Sequence, residues 1–252
     1  MYLLQDLLCP LLHTESFNKK SVFKSTDFYF LLVVIFLKKC IIFGSVETDF
    51  FNDIINDEDF VIAADGGLKN AKKHNITPDL IVGDFDSLDY IPSGDNVIIH
   101  PEIKDETDTI LAVDIAFDKG YNDFIIYGCL GGNRLDHTYA SIQTASYIAE
   151  KGGTVVFKSQ ENFMTVLKNR AIHFNEDCEG YISVFSFSEE ATGVTEKGLF
   201  YELDKGKLTC DYPLGVSNRF INEKSFVSVE NGKLCILWNG TKGNYILGGS
   251  NE

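Results

Sequence analysis

The stretch DLIVGDFDSL, residues 79–88, puts two carboxylates, Asp84 and Asp86, directly after an apolar run. The Leu, Ile and Val at 80–82 favour a buried strand. Alternate side chains of an extended chain point to the same face, so we expect the two carboxylates to lie side by side. Because like charges at close range repel, the pair needs a cationic partner, and the stretch predicts a ligand-binding end to this strand.

The flanking sequence repeats this pattern of short apolar runs separated by polar, helix-compatible segments. Such alternation predicts a parallel sheet with crossover helices. The predicted strands are 40–44, 60–65, 79–84, 96–100, 123–129 and 152–157. The predicted helices are 47–56, 67–75, 107–119 and about 135–151.

Beyond about residue 160 the apolar runs become short and alternating, with Gly, Asn and Asp between them, which is typical of antiparallel sheets. Such runs occupy 181–187, 198–203, 207–211, 225–230 and 233–238. We therefore predict an α/β plus all-β fold. An N-terminal parallel-sheet α/β domain over residues 38–160 would be followed by a C-terminal antiparallel β-sandwich over residues 161–252.

The N-terminal segment holds an uncharged apolar run, FYFLLVVIFL, at residues 28–37. Its ten residues fall short of the roughly 20 that a membrane-spanning helix needs, and acidic residues before it argue against a signal peptide. One interpretation is an extra strand or helix packed on the domain. The other is that residues 1–37 are a leader outside the natural protein, and that translation starts next to Lys38.

The overall charge is acidic, with 22 Lys and Arg against 37 Asp and Glu and a net charge of −15. This balance argues against a protein that binds nucleic-acid phosphates and suits metal ions or cationic ligands, although a solvated acidic surface explains it more simply. The six cysteines form no C-x-x-C pair. We therefore expect reduced thiols in a cytoplasmic protein.

Four polar segments are predicted to meet at one rim of the sheet, because ligands bind beyond the carboxyl ends of parallel strands. They are Asp65-Gly66-Gly67, GDFDS at 83–87, KDETD at 104–108, and LGGNRLDH at 130–137 with Gly131, Gly132, Arg134, Asp136 and His137. Glycines let a backbone approach a phosphate chain, and an arginine can bind phosphate oxygens with two hydrogen bonds.

Each segment alone has an ordinary structural explanation. Residues 65–67 are typical of a turn, Asp105 of a helix N-cap, the Arg134 and Asp136 pair of a surface ion pair, and His137 of a residue that packs on the next helix. Together they are harder to explain without a ligand. The crowded acids would repel one another unless Mg²⁺ or another cation were bound, and they are Asp65, Asp84, Asp86, Asp105 and Asp108. We therefore predict a site for a metal-bound polyphosphate.

Neither a G-x-x-x-x-G-K-[ST] segment nor a protein-kinase motif set occurs in the sequence. Instead DGG, PDLIVGDFDSL, KDETD and LGGNRLDH, in this order and spacing, closely resemble the thiamine pyrophosphokinase family. The resemblance continues through GLFYEL at 198–203 and YPLGVSN at 212–218 and covers roughly residues 39–240.

The resemblance implies an enzyme that transfers pyrophosphate from ATP to thiamine, giving thiamine diphosphate and AMP, with Mg²⁺ as cofactor. It also implies a homodimer whose active site lies at the subunit interface. From the net charge and the short apolar run we expect no nucleic-acid or membrane partner. The catalytic residues implied are Asp84, Asp86, Asp108, Arg134 and Asp136, of which Asp84, Asp86 and Asp108 would hold the metal. Ser217 and Asn218 fall in the family's SN motif near the thiamine pocket, and Phe220 beside them is a candidate ring contact, although an aromatic residue of a β domain is more often part of the core. ATP and its phosphates are predicted to be bound by Asp65, Gly66, Gly67, Asp105, Thr107, Gly131, Gly132 and His137.

Two other functions remain open on the sequence. The D-x-D after a strand also resembles the nucleophile motif of haloacid-dehalogenase phosphohydrolases, although that motif continues with Thr or Val where this chain has Ser87-Leu88. A non-catalytic sensor could keep the same pocket. The product distinguishes the three, because a pyrophosphokinase releases AMP, a hydrolase releases phosphate, and a sensor releases neither.

Overall fold

The computed structural model describes residues 38–86, 88, 90–100, 107–240 and 244–248. The described residues, all from Lys38 onwards, form one compact unit. The apolar run at 28–37 and the rest of the predicted leader lie outside the described residues. Within the described part of the chain, no helix has the length and apolar character needed to cross a bilayer.

The first half of the chain forms the parallel part of a ten-stranded sheet, in the order β6-β5-β1-β2-β3-β4. Its strands are β1 (Cys40–Phe43), β2 (Phe60–Ala64), β3 (Leu80–Gly83), β4 (Val97–Ile99), β5 (Asp123–Tyr127) and β6 (Thr154–Lys158). All six fall within the predicted strands or within one residue of them. The apolar runs are continuous because both faces of the sheet are covered.

Three helices cover the two faces of this parallel sheet: α1 (Gly67–Lys73), α2 (Asp108–Asp118) and α3 (Leu135–Glu150). Successive strand residues face opposite sides, so Ile42 and Ile62 pack in the cluster that includes α2 and α3. Ile41 and Val61 pack instead in a cluster with a residue of α1. The helices predicted at 67–75, 107–119 and 135–151 are confirmed.

The second half of the chain extends the main sheet and adds a second sheet. The strands are β7 (Asn162–Lys168), β8 (Ala171–Phe174), β9 (Tyr181–Ser186), β10 (Glu190–Lys197), β11 (Leu203–Thr209), β12 (Gly215–Arg219), β13 (Ser225–Ser228), β14 (Lys233–Asn239) and β15 (Tyr245–Leu247). The order β12-β9-β14-β7 continues the main sheet beyond β6, and β11-β10-β13-β8-β15 forms the second sheet. Buried residues of both sheets pack in one cluster, and the α/β plus β-sandwich fold is confirmed.

The main sheet passes the predicted domain boundary without a break. A tight turn joins β6 to β7, and the backbone N–H of Ser159 donates to the carbonyl oxygen of Asn162 at 2.9 Å. The two strands then pair in antiparallel fashion. The division of the chain at residue 160 stays a prediction.

The helix predicted at 47–56 is wrong, since these residues have no regular secondary structure. The neighbouring rings of Phe50 and Phe51 both pack on Tyr127, with centroids 6.2 and 5.1 Å away. Adjacent residues of a helix project about 100° apart and could not both face one ring. Tertiary packing therefore overrides the local helical pattern.

The strand predicted at 198–203 is also wrong, because β11 begins only at Leu203. The preceding residues form a loop that starts at Gly198, whose φ of 69° is left-handed. Phe200 and Tyr201 are consecutive and both are exposed, so the alternation of a strand is absent. The side chain of Asn218, on β12, hydrogen-bonds to the backbone of Tyr201 in this loop.

Candidate active site

The loops after β1 and β5 meet at the point where the order of the parallel strands reverses. The backbone N–H of Gly44 donates to the carbonyl oxygen of Tyr127 at 2.7 Å, and that of Val46 donates to the carbonyl oxygen of Gly128 at 2.8 Å. Glycine is needed here, because a Cβ on Gly44 would lie 2.7 Å from the carbonyl oxygen of Gly128. A cavity of about 400 Å³ opens beside these loops, at the position where parallel α/β sheets bind ligands.

Three carboxylates gather at the ends of β2 and β3. Asp65, Asp84 and Asp86 each offer an oxygen atom, and these atoms all lie within 4.8 Å of one another. Asp65 is buried, Asp84 is half-buried and Asp86 is exposed. Asp65 also lines the cavity and so joins the carboxylate cluster to it.

The donor set of this cluster fits Mg²⁺. The ion takes oxygen ligands in an octahedron at about 2.1 Å, which places ligands about 3 to 4 Å apart, and these carboxylate oxygens lie within 4.8 Å of one another. Mg²⁺ usually keeps water and substrate phosphate oxygens as its other ligands. The open side that the exposed Asp86 provides leaves room for them.

The predicted side-by-side placement of Asp84 and Asp86 occurs, but not through an extended strand. The strand ends at Gly83, and Phe85 has a left-handed φ of 62°. The backbone N–H of Asp86 donates to Asp84 Oδ1 at 3.2 Å, which closes a turn. The ring of Phe85 is buried in a cluster beneath this turn, and that anchor leaves both carboxylates on the outside.

The helix α2 begins at the same cavity. Thr107 is its N-cap, and its Oγ1 accepts from the backbone N–H of Ile110 at 3.3 Å. Thr107 and Asp108 line the cavity, and Asp108 lies in the first helical turn. The residue predicted as a possible N-cap, Asp105, lies outside the described residues.

The segment after β5 places an ion pair at the start of α3. Arg134 Nε lies 2.9 Å from Asp136 Oδ1, and a terminal nitrogen of the same guanidinium donates to Oδ2 at 2.6 Å. This contact lowers the pKa of Asp136 to about 2 and raises the pKa of Arg134, although both groups are exposed. The carboxylate is therefore ionised at neutral pH and is a weak proton acceptor while the pair persists.

The glycines before this ion pair shape the same loop. Gly131 and Gly132 have left-handed φ values of 80° and 77°, which favour glycine. The backbone N–H of Gly131 lies 3.2 Å from Thr138 Oγ1, which ties the loop to the first turns of α3. Asp136 and His137 line the same cavity as Asp65, Thr107 and Asp108. Asp84 and Asp86 adjoin it through Asp65, so the structure brings all four predicted segments together.

Several residues of this cavity were not predicted. Ser45 Oγ donates to Asp65 Oδ2 at 3.2 Å and so contacts the carboxylate cluster directly. Its position just beyond the carboxyl end of β1 is the one sequence signal that could have identified it. The other unpredicted polar or sulfur-containing lining residues are Thr109, Cys129, Ser141 and Thr144.

The residues predicted to bind thiamine lie on or next to β12, at the outer edge of the main sheet. Ser217 is exposed with a left-handed φ of 62°. Asn218 is buried, and its Nδ2 donates to Glu196 Oε2 at 3.0 Å and to the carbonyl oxygen of Tyr201 at 2.7 Å. Phe220 is 8% exposed and packs in the sandwich core. Their contact with thiamine stays a prediction.

Burial perturbs the carboxyl group that Asn218 contacts. Glu196 is 4% exposed, and desolvation raises its pKa while the hydrogen bond from Asn218 partly opposes that rise. Asn218 Oδ1 in turn accepts from the backbone N–H of Tyr201 at 2.9 Å. The amide of Asn218 therefore fastens the loop before β11 to β12.

Comparison with known proteins identifies two consecutive family models in this chain. Residues 51–157 match the thiamin pyrophosphokinase catalytic domain, and residues 169–235 match the thiamin pyrophosphokinase vitamin B1 binding domain. Thiamine pyrophosphokinase of Bacillus subtilis (strain 168) is 26% identical over 183 residues, which cover 70% of this chain and 85% of that protein.

Solved structures share the fold at low sequence identity. The crystal structure of thiamine pyrophosphokinase from Bacillus subtilis superposes with a TM-score of 0.70 and 22% identity, covering 81% of this chain and all of that chain. Thiamin pyrophosphokinase from Candida albicans gives a TM-score of 0.62 and 17% identity, covering 82% of this chain and 90% of that one.

Proposed function

The chain belongs to the thiamine pyrophosphokinase family, and from that premise we propose how its residues transfer pyrophosphate from ATP to thiamine. The products are thiamine diphosphate and AMP. The observation that carries this function is the match of both the catalytic and the vitamin B1 binding models along one chain. The residue roles that follow are our proposals.

Asp65, Asp84 and Asp86 would hold Mg²⁺, and Asp108, which lines the same cavity, would contact it or the phosphates. When bound, Mg²⁺ neutralises phosphate charge and orients the triphosphate. The spacing of the three carboxylate oxygens supports the first assignment. The position of Asp108 on the cavity wall in the first turn of α2 supports the second.

The triphosphate of ATP would lie in the cavity, between the carboxylate cluster and the glycine loop before Arg134. The first turn of α2 supports this placement, because a helix N-terminus favours anions. Gly66, Gly67, Gly131, Gly132, Thr107 and His137 are the remaining candidate phosphate contacts. Asp105, in the KDETD segment that resembles the family, is also proposed to contact ATP or its phosphates.

Transfer requires the hydroxyl oxygen of thiamine to attack the β-phosphorus as the bond to AMP breaks, so positioning and charge neutralisation do most of the work. Arg134 would stabilise negative charge on the transferred group. Asp136, hydrogen-bonded to Arg134, would orient that guanidinium, and the hydroxyl proton of thiamine would pass to solvent as the new bond to phosphorus forms.

The thiamine site would be completed by a second copy of the chain. Four strands separate β12 from β5 in the main sheet, and at about 4.8 Å per step this places the two strands about 24 Å apart. Ser217 on β12 and the cavity beside β5 are thus too far apart in one copy to share a small substrate. Exposed apolar side chains around β12 also support a homodimer, namely Tyr181, Phe200, Tyr201, Tyr212, Leu214 and Val216.

We propose that the enzyme acts in the cytoplasm, without nucleic-acid or membrane partners. Five cysteines in the described part of the chain are free thiols, which supports a reducing compartment. The net charge of −15 opposes binding to nucleic acids and to anionic lipid surfaces.

The function is tested by measuring AMP release from ATP and Mg²⁺ with the purified chain, with and without thiamine. We expect AMP only when thiamine is present, in equal amount to thiamine diphosphate. Phosphate release that is indifferent to thiamine would instead identify a hydrolase. Binding of thiamine without either product would identify a sensor.

A further inference from the structure

We propose that Asn70 is a positioning residue for the metal site, and that it acts by holding residues 44–48 so that Ser45 keeps its contact with Asp65. The inference rests on the metal-binding role proposed above for the carboxylate cluster. It adds a residue of α1 that touches neither the carboxylates nor, in this proposal, any substrate atom.

Asn70 is 3% exposed, and its side chain binds a single loop through three hydrogen bonds. Its Nδ2 donates to the carbonyl oxygens of Gly44 at 2.7 Å and Val46 at 2.8 Å. Its Oδ1 accepts from the backbone N–H of Thr48 at 3.2 Å. Because a side-chain amide has two donor hydrogens and one acceptor oxygen, both ends of the group are used by this loop.

The same loop is held from its other side by the backbone of β5 and the glycine that follows it, through the N–H groups of Gly44 and Val46. Ser45 lies between these two residues, and its Oγ donates to Asp65 Oδ2 at 3.2 Å. The loop is therefore fixed from both sides, and the residue between the fixed points reaches the carboxylate cluster. Loss of the Asn70 contacts frees the α1 side of this loop.

A displaced loop would alter the metal site through Asp65. Mg²⁺ tolerates little departure from octahedral geometry, so a carboxylate that loses its orienting hydrogen bond binds it less well. The thiamine residues proposed on β12 belong to a different part of the sheet. The effect of Asn70 should therefore fall on metal and ATP and not on thiamine.

Two substitutions that keep the branched shape of the side chain distinguish the contributions of these hydrogen bonds. Asn70→Leu removes all three hydrogen bonds. Asn70→Asp keeps an acceptor for the Thr48 N–H but replaces both donors with an oxygen that faces two carbonyls. Asn70→Asp also serves as the second variant should Asn70→Leu fail to fold.

The primary measurement is Mn²⁺ binding to the purified full chain without thiamine, followed by electron paramagnetic resonance. We expect both variants to bind Mn²⁺ about 10-fold or more weakly than the unmodified chain, as is usual when a residue that orients a metal ligand is lost. The Mg²⁺ concentration for half-maximal AMP release should rise by a similar factor, whereas the KM for thiamine should change less than about twofold. Unchanged Mn²⁺ affinity in a folded variant would overturn the proposal.

Thr165→Val is the matched control for a purely structural effect. Thr165 is fully buried on β7, and its Oγ1 donates to the carbonyl oxygen of Val155 at 2.6 Å. Its loss should lower the Tm while leaving Mn²⁺ affinity unchanged. Equal losses of affinity in this variant and in Asn70→Leu would mean that general destabilisation, and not positioning, explains the result.

A double-mutant cycle with Ser45→Ala tests the route of the effect. If Asn70 acts through Ser45, the double variant should bind Mn²⁺ no more weakly than Asn70→Leu alone. Additive losses would contradict that route. The Mn²⁺ measurement decides this inference even if AMP release proves independent of thiamine, in which case the proposed function fails separately.

Discussion

At the residue scale, Asp84 illustrates the charge repulsion that the proposed cation would relieve. Its carboxylate lies within 4.8 Å of those of Asp65 and Asp86, and like charges so close repel. Asp84→Asn removes that repulsion together with a proposed metal ligand. We expect AMP release to fall about 100-fold or more, as for loss of a group that stabilises transition-state charge, while the Tm stays equal or rises.

Asp95→Asn is the matched control for this prediction, since it removes one exposed carboxylate from the loop before β4. Its turnover should match that of the unmodified chain. A fully active Asp84→Asn, or one that unfolds, would contradict the role assigned to this residue.

Glu196 is a second residue whose charge has a predictable consequence, this time for the pH dependence of stability. Burial raises its pKa in the folded chain above the ordinary value of 4.5. At a pH between the pKa of Glu196 in the unfolded chain and its higher pKa in the folded chain, the unfolded chain binds fewer protons than the folded one. The free energy of unfolding therefore falls as pH rises through this range. Glu196→Gln has no carboxyl group to ionise, so its stability does not fall with pH in this way. Its Tm should exceed that of the unmodified chain at pH 8 and equal it at pH 4.

Glu202→Gln should show the opposite sign. The backbone N–H of Gly198 and the Lys197 ammonium lower the pKa of Glu202, so its ionised form favours the folded state above the unfolded pKa. Thermal melts of both variants at the two pH values check this pair. A lower Tm for Glu196→Gln at pH 8 would show that its carboxyl group has another stabilising role.

At the scale of elements, a buried ion pair, and not helical hydrogen bonding, is expected to stabilise the conformation of residues 45–59. Lys158 Nζ, at the end of β6, lies 3.0 and 2.8 Å from the two carboxylate oxygens of Asp53, and Tyr127 also donates to Asp53. Burial lowers the pKa of Lys158. Lys158→Met would leave the Asp53 carboxylate without its cation, and removal of one partner of a buried pair costs about 3–5 kcal/mol.

Urea unfolding of Lys158→Met measures that cost. The double variant Lys158→Met with Asp53→Asn should recover most of the lost stability, because the stranded charge is gone. If the double variant is as unstable as the sum of its single changes, the two side chains do not stabilise the segment as a pair.

The same segment shows where prediction from the sequence succeeds and fails. The six parallel strands and the helices on their faces are readable because each is one contiguous pattern of apolar residues. The 47–56 segment is also compatible with a helix, yet Phe50 and Phe51 pack on a ring that is distant in sequence. Its conformation depends on partners that the local pattern does not encode.

The candidate site divides in the same way. Acidic and glycine-rich segments after the strands could be predicted to converge, because the carboxyl ends of parallel strands share one rim. Ser45 and Asn70 could not be given their roles, since these depend on hydrogen bonds between separate loops. The order of strands in the sandwich could not be predicted from the sequence either. For example, β9 pairs with β14 and β12, which are not its neighbours in sequence.

At the scale of the whole molecule, the proposed sharing of each active site between two copies predicts complementation. Asp84→Asn impairs the metal side of a site, and Ser217→Arg places a positive charge where the thiamine cation is proposed to bind. Each variant alone should be nearly inactive. After unfolding and refolding an equal mixture, half of the dimers are mixed and each contains one intact site, so about one quarter of the unmodified turnover should return.

Native mass spectrometry of the same mixture verifies that mixed dimers have formed. Mixed dimers without restored turnover would place each whole active site within one copy. A monomer at every concentration would remove the proposed homodimer itself.

The hairpin of β6 and β7 joins the parallel and antiparallel parts of the molecule within one sheet. Cleavage of the chain in the turn at 159–161 would therefore not give two independently folded domains. Each fragment would expose a long, apolar strand edge with unpaired backbone groups, a template on which other chains can add. The two fragments should aggregate when they are expressed separately, whereas co-expressed fragments should associate through the pairing of β6 with β7.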